Sequence, residues 1–240
     1  MAPEARERDM TDRESLRLAT WNIHMGVGLD GQRDIQRVGQ VIGEITPDVI
    51  GLQEVDNRPG QNGDDLQQLG HHTGLEIVSG PTMQRSTGDY GNALLTRLPI
   101  LKVERHDISF KKREPRGLLI VHLDWNGETI QIAVTHLGLK AGERRHQVQH
   151  LIDFLDQPGR FPLVLMGDFN EWLFLGRPMR WLRRHFGRWQ SPRSFPSKRP
   201  LLRLDHILAD PPTRLNRPAL HNSPLAKTAS DHLPLVAYFQ

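Results

Sequence analysis

Six apolar, strand-like runs end in residues that could do chemistry: Asn22 in TWNIH, Glu54 in LQEV, His136 in THLGL, Asp168 and Asn170 in GDFN, Asp205 in RLDHIL, and Asp231 with His232 in SDHLP. One such residue would be a turn-former, because Asp and Asn satisfy the backbone where a strand stops. Six endings of this kind in one chain argue for a shared site. With no cysteine in the chain, a metal would be held by oxygen or imidazole, which favours a hard divalent cation, magnesium or manganese. Such an ion polarises a phosphoryl oxygen and offsets developing charge. Two histidines could then supply a proton acceptor for water and a donor or hydrogen-bond partner for the phosphate and leaving group. For His136 alone the competing reading is an ordinary strand cap.

Adjacent side chains on an extended segment point to opposite sides, so Asp231 does not simply hold His232. Its partner is expected from another strand, Asp205 or Asp168. Arg116 in EPRGLL precedes an apolar run and could offer a planar donor pair to a phosphate. Asn92 in YGNALLTRLP stands at a strand start, where contact with substrate and capping of a turn are equally open. His206 is expected to pack or cap, and His24, His71 and His72 are read as structural.

The elements that must position these residues follow from periodicity. Residues 16–23 and 48–55 read as buried strands, and Ile35, Val38, Ile42 and Ile45 between them recur at helical spacing. Further strands are expected at 75–79, 92–98, 101–109, 117–125, 129–136, 162–168, 203–209 and 234–239. A helix after His136 carries Val148, Leu151, Ile152 and Leu155 on one face. Short turns such as WNGE mark hairpins. Hairpins mixed with strand–helix units predict a layered α/β sandwich of mainly antiparallel sheets covered by helices. The highly charged residues 1–15 are expected to be a flexible segment ahead of a single domain over 16–240; no internal repeat or composition break divides it.

TWNIH, LQEV, GDFN and SDHLP, in this order across nearly the whole chain, resemble the endonuclease/exonuclease/phosphatase superfamily. The resemblance implies a four-layer αββα sandwich and a magnesium-dependent phosphoester hydrolase, most simply a phosphodiesterase using in-line attack of water. It implies that Glu54 is the principal metal ligand, that Asn22 helps to hold metal or phosphate, and that Asp231 supports the metal. Asp168 and Asn170 would orient the attacking water and the phosphate. His232 would be the general base or would position that water, with Asp205 the leading candidate to polarise it. THLGL resembles the branches that include DNase I, the neutral sphingomyelinases and the inositol phosphatases, which implies that His136 stabilises or protonates at the scissile phosphate. A non-catalytic phosphate- or membrane-binding module on the same fold is the alternative, and the retained carboxylates and histidines argue against it.

The formal net charge is only +3, but residues 172–204 hold nine Lys/Arg and no Asp or Glu. Within them Met179, Leu182, Phe186 and Trp189 lie on one helical face, with Arg180, Arg183, Arg184 and Arg188 elsewhere. This connection, 177–203, is expected to pass near the catalytic mouth. It could track a nucleic-acid backbone, with Trp172, Trp181 or Trp189 stacking on bases, or rest on an anionic membrane. Its third reading is a solvated helix packed on the core. No stretch has the apolar length of a membrane span and the amino terminus lacks an apolar signal core, so a cytoplasmic location with peripheral membrane contact is the expectation. Nothing implies an obligate protein partner.

Overall fold

The continuous apolar runs become strands covered on both faces, and the alternation along each strand decides which face meets which layer. A computed structural model describes residues 15–61, 63–155, 161–173 and 176–240; the expected flexible segment therefore lies, apart from Ser15, outside the described residues. In the first sheet, β1 (Leu16–Asn22), β2 (Val49–Asn57), β3 (Glu76–Arg85), β4 (Gly88–Thr96), β10 (Ala219–Leu220) and β11 (Leu235–Phe239) run in the order β10-β11-β1-β2-β4-β3. The second sheet has the order β5-β6-β7-β8-β9, from β5 (Ile100–Asp107), β6 (Gly117–Trp125), β7 (Glu128–His136), β8 (Leu163–Asp168) and β9 (Asp205–Asp210).

Three apolar layers hold the sandwich. Leu18, Val49 and Leu94 of the first sheet pack against Val121, Ile132, Val134 and Met166 of the second. Space between the sheets is tight: a Cβ on Gly51 would lie 2.8 Å from Val134 Cγ2 and 3.0 Å from Met166 Sδ. The alternate residues Ala19, Trp21 and Leu52 face α1 (Ile35–Ile45), α2 (Asp65–Thr73) and α5 (Pro224–Ala229). Ala133, Leu163 and Leu165 face α3 (Ala141–Leu155) and α4 (Arg177–Phe186). This is the helix–sheet–sheet–helix sandwich expected from the sequence. Among the described residues no helix is long and apolar enough to cross a membrane.

Most neighbours are antiparallel; β1–β2 and β7–β8 are parallel. A parallel pair needs a long crossover, and α1 and α3 supply it. Consequently Asn22 and Glu54 end on one side of the molecule, as do His136 and Asp168. The helix α2 was not foreseen. Its apolar face is only Leu66 and Leu69, and its start is set instead by a capping box between Asp64 and Gln67. His72, from its last turn, fits over Gly39 of α1, where a Cβ would come within 2.8 Å of the ring.

Candidate active site

The inward-facing alternation of the strands carries apolar residues until the last position and then a polar one. On β7 the sequence Ile130, Ile132, Val134 ends in His136, and on β8 Val164 and Met166 end in Asp168. Register places His136 beside Asp168 and Asp168 beside Asp205, so three neighbouring strands present their chemistry side by side. Gly167 makes this approach feasible: at φ +146° it sits where a Cβ would be 1.8 Å from the Thr135 carbonyl oxygen. His206, next to Asp205, faces the opposite way and is buried against Phe169 and Trp189, with its Nδ1 accepting from Trp189 Nε1 at 3.1 Å. Burial pushes its pKa down to about 4, so it stays neutral.

Across the slot, Asn22 is the inward end of β1. Glu54 is different, because strict alternation would turn it toward the helices, Gln53 being the inward residue that pairs with Thr20. A bulge between Leu52 and Val55, with Glu54 itself at φ +55°, breaks the alternation and re-aims the carboxylate. Asn22 Nδ2 then bridges the sheets, donating to Glu54 Oε1 at 2.9 Å and to Asp168 Oδ2 at 3.1 Å.

Both histidines converge on that same Asp168 oxygen, His136 Nε2 at 3.5 Å and His232 Nε2 at 3.7 Å. His232 Nδ1 donates to Asp205 Oδ2 at 2.8 Å, and Ser194 Oγ donates to the same oxygen. The segment carrying His232 is tied down by Trp21 Nε1, which donates to the His232 carbonyl at 2.9 Å, and by Ser230 Oγ, which donates to the Asn22 carbonyl at 2.7 Å. Asn170, at φ +49°, donates its backbone N–H to Asp168 Oδ1 at 2.8 Å. Its Nδ2 lies 2.9 Å from both the Leu137 carbonyl and His136 Nε2. Since the carbonyl can only accept, Nδ2 must face it; His136 Nε2 is therefore an acceptor and the imidazole proton sits on Nδ1. That Nδ1 is buried without a hydrogen-bond partner among the described residues.

The electrostatics separate the two rings. Burial, the Arg116 guanidinium and His232 hold the His136 pKa well below the ordinary imidazole range. Burial would also depress His232, but the charges of Asp205 and Asp168 outweigh it and push its pKa up to about 10. Burial and the nearby Asp205 raise Asp168, against the pull of His232 and its hydrogen bonds from Asn170 and Asn22.

The remaining expected residues sit around this centre. Asp231 is partly exposed, 3.9 Å from His24 Nδ1, which brings a histidine read as structural to the mouth. Arg116 is buried, donates to Glu114 at 2.7 Å and leaves Nε without a hydrogen-bond partner among the described residues. Asn92 Nδ2 donates to the Gly117 carbonyl at 3.2 Å and so struts the two sheets together. Ser194 carried no motif and is recognisable only once the chain is folded. Arg85 lays its guanidinium over the Tyr90 ring, 3.6 Å from the centroid. The basic connection divides. Its helix α4 buries Met179, Leu182 and Phe186 in the outer layer, whereas the stretch after it reaches the mouth, with the Phe195 ring 4.8 Å from His232.

Asp168, Asp205 and His232 offer ligand atoms within 4.8 Å of one another. Yet Asp205 and His232 are already bound to each other, and a protonated imidazole repels a cation. A hard divalent ion fits better at Glu54, whose second carboxylate oxygen has no hydrogen-bond partner among the described residues, with Asn22 and Asp168 adjoining. The carboxylates of Glu54 and Asp168 supply the oxygen donors such an ion requires; Asn22, whose Oδ1 accepts from the His24 N–H, faces them with Nδ2 and orients them.

An αββα sandwich with carboxylates, amides and two histidines at one end of both sheets defines a phosphoester-hydrolase class of fold and site. The chain belongs to the Endonuclease/Exonuclease/phosphatase family, which it matches over residues 19–232. It is 30% identical to the uncharacterized protein YbhP of Escherichia coli over 95% of this chain and 98% of that protein. Its fold is similar to that of a mannosyl-6-phosphatase of Bacteroides thetaiotaomicron (TM-score 0.75, 18% identity, 93% of this chain and 98% of that one). It is likewise similar to the human Nocturnin catalytic domain (TM-score 0.71, 22% identity, 94% and 93%).

Proposed function

We propose that this protein is a magnesium- or manganese-dependent phosphodiesterase. The observation that carries the reading is the convergence of Asn22, His136 and His232 on one oxygen of Asp168, with Glu54 joined through Asn22. Bound at Glu54, the cation would polarise a phosphoryl oxygen and offset the charge that develops on it. The residues of the chain do the rest. Asn22 and Asn170 orient the phosphate and the attacking water. Asp168, buried and with raised proton affinity, takes the proton of that water. His232, held by Asp205, whose oxygen also accepts from Ser194, points its Nε2–H into the centre and stabilises negative charge on the phosphate. His136, kept neutral, holds Asn170 and accepts a hydrogen bond at Nε2; at neutral pH this is a positioning role and not that of an acid.

A diester brings one negative charge and a monoester two. Glu54, Asp168, Asp205 and Asp231 repel the second charge, which favours the singly charged ester. A nucleic acid and a phospholipid or inositol-type ester both satisfy this chemistry. The test is hydrolysis of bis(p-nitrophenyl) phosphate and p-nitrophenyl phosphate with Mg²⁺, with Mn²⁺ and after EDTA. We expect diester hydrolysis that EDTA abolishes and that Glu54→Gln lowers by roughly 10² or more, with weakened cation binding. Undiminished turnover by metal-free protein would overturn the proposal.

A further inference from the structure

Exposed apolar side chains are not spread evenly over this molecule. Of the eight large hydrophobic residues exposed among the described residues, five lie on loops at the catalytic end of the strands: Leu29 beyond β1, Leu139 beyond β7, Trp172 and Leu173 beyond β8, and Leu201 ahead of β9. They range from 48% exposed at Leu29 to 71% at Leu173. Each follows or precedes an active-site residue in the chain, within about seven positions, which places them on the loops at the mouth. Single exposed leucines are ordinary; a group of them around one opening marks an interaction surface.

The same rim is basic. Lys111, Lys112 and Arg113 are exposed between β5 and β6, Lys140 follows Leu139, and Lys198 and Arg199 precede Leu201. The exposed acids on the rim loops are engaged within the fold: Glu114 with Arg116, Asp30 beside Leu29 with Arg37, and Asp34 as the cap of α1. Leucines interleaved with lysines and arginines match a layer with an anionic surface and an apolar interior. A nucleic acid fits less well. Four of the five rim side chains are leucines, which have no π-face for a base; Trp189 donates to His206 and lies under Arg183, and Trp181 packs on the α3–α4 layer, which leaves Trp172 as the aromatic face at the rim.

We propose that the catalytic end of the sandwich docks on an anionic lipid surface and that the phosphodiester it cleaves is a phospholipid headgroup presented from that surface. The substrate half of this statement rests on the hydrolase reading above. Docking moves the membrane contact from α4, whose apolar face is buried, to the rim of the mouth. In the reaction water forms the new P–O bond, the bond to the headgroup alcohol breaks, and that alcohol leaves with a proton.

The experiment is co-sedimentation of the full chain, in EDTA, with vesicles of phosphatidylcholine alone and of phosphatidylcholine with phosphatidylglycerol. We expect binding to the anionic vesicles only. Leu139→Ser/Leu173→Ser/Leu201→Ser should weaken it roughly 10-fold or more through lost apolar burial. Lys198→Glu/Arg199→Glu should weaken it too and remove much of its salt dependence. Both variants should hydrolyse bis(p-nitrophenyl) phosphate at the unmodified rate, which also reports that they are folded. Binding to vesicles without hydrolysis of the soluble diester would support docking and sink the hydrolase reading. Hydrolysis of the diester with no vesicle binding would sink docking alone. Vesicle binding that survives the triple leucine change, or tighter binding to an oligonucleotide unaffected by it, would also overturn the proposal.

Discussion

His136 and His232 approach one carboxylate oxygen to within 3.5 and 3.7 Å, yet their surroundings drive them to opposite charge states. Both rings are buried, which by itself favours the neutral form of each. His232 escapes because Asp205 sits on its Nδ1 at 2.8 Å. Among the described residues His136 has no carboxylate on its Nδ1; it meets an amide at Nε2 and feels the positive charge of Arg116. Burial acts on both rings alike, and the neighbour at the far nitrogen decides the outcome. Two residues of identical type divide the labour: one is a fixed cation, the other a neutral acceptor.

Removing the cation should break this division most severely. His232→Ala is expected to reduce turnover of a soluble diester by roughly 10²–10⁴, as for loss of a positioned proton-transfer or charge-stabilising group. His136→Ala should lower turnover less, with a loss shared by Asn170→Ala because the two act as one hydrogen-bonded unit. A double-mutant cycle measures that sharing. If His136→Ala matched His232→Ala, and Asn170→Ala added its full effect on top, the positioning role would be wrong.

The contrast should next be visible in stability against pH, measured by urea unfolding in EDTA. His232 binds its proton more tightly folded than unfolded; its contribution is present below about 6.5, the ordinary imidazole value, and lost as pH rises toward about 10. His136 binds its proton less tightly when folded, so it withdraws stability as pH falls below that ordinary value. His232→Gln should flatten the alkaline limb and His136→Gln should reduce the acid one. His206, pushed down to about 4, shares the acid limb, so His136→Gln removes only part of that slope. An alkaline limb unchanged by His232→Gln would show that the ring is not held as a cation.

The smallest expected effect sharpens the electrostatic argument. Arg116→Met removes the positive charge felt by His136 while keeping most of the buried stem, so the His136 imidazole should titrate upward in an NMR pH series with His232 little moved. A His136 titration that stays in place would mean that burial alone keeps the ring neutral.

Much of this was legible from residue types and spacing. Apolar runs with period two or without a break announced the strands, and helical spacing announced α1 and α3, because burial is the same demand whatever the final topology. Oxygen and imidazole groups at the ends of those runs, with no thiol, announced a hard-cation phosphoester site. Other features needed the folded chain. Glu54 lies on the wrong phase of its strand, and only a bulge brings it inward. Ser194 meets Asp205 across a connection with no pattern of its own, and the apolar face of α4 gave no hint of which layer would bury it. The charges of the two histidines were likewise beyond the sequence, which shows two similar rings at strand ends. A proton's free energy depends on distances of a few ångströms to partners far away in the chain, and those distances exist only in the tertiary structure.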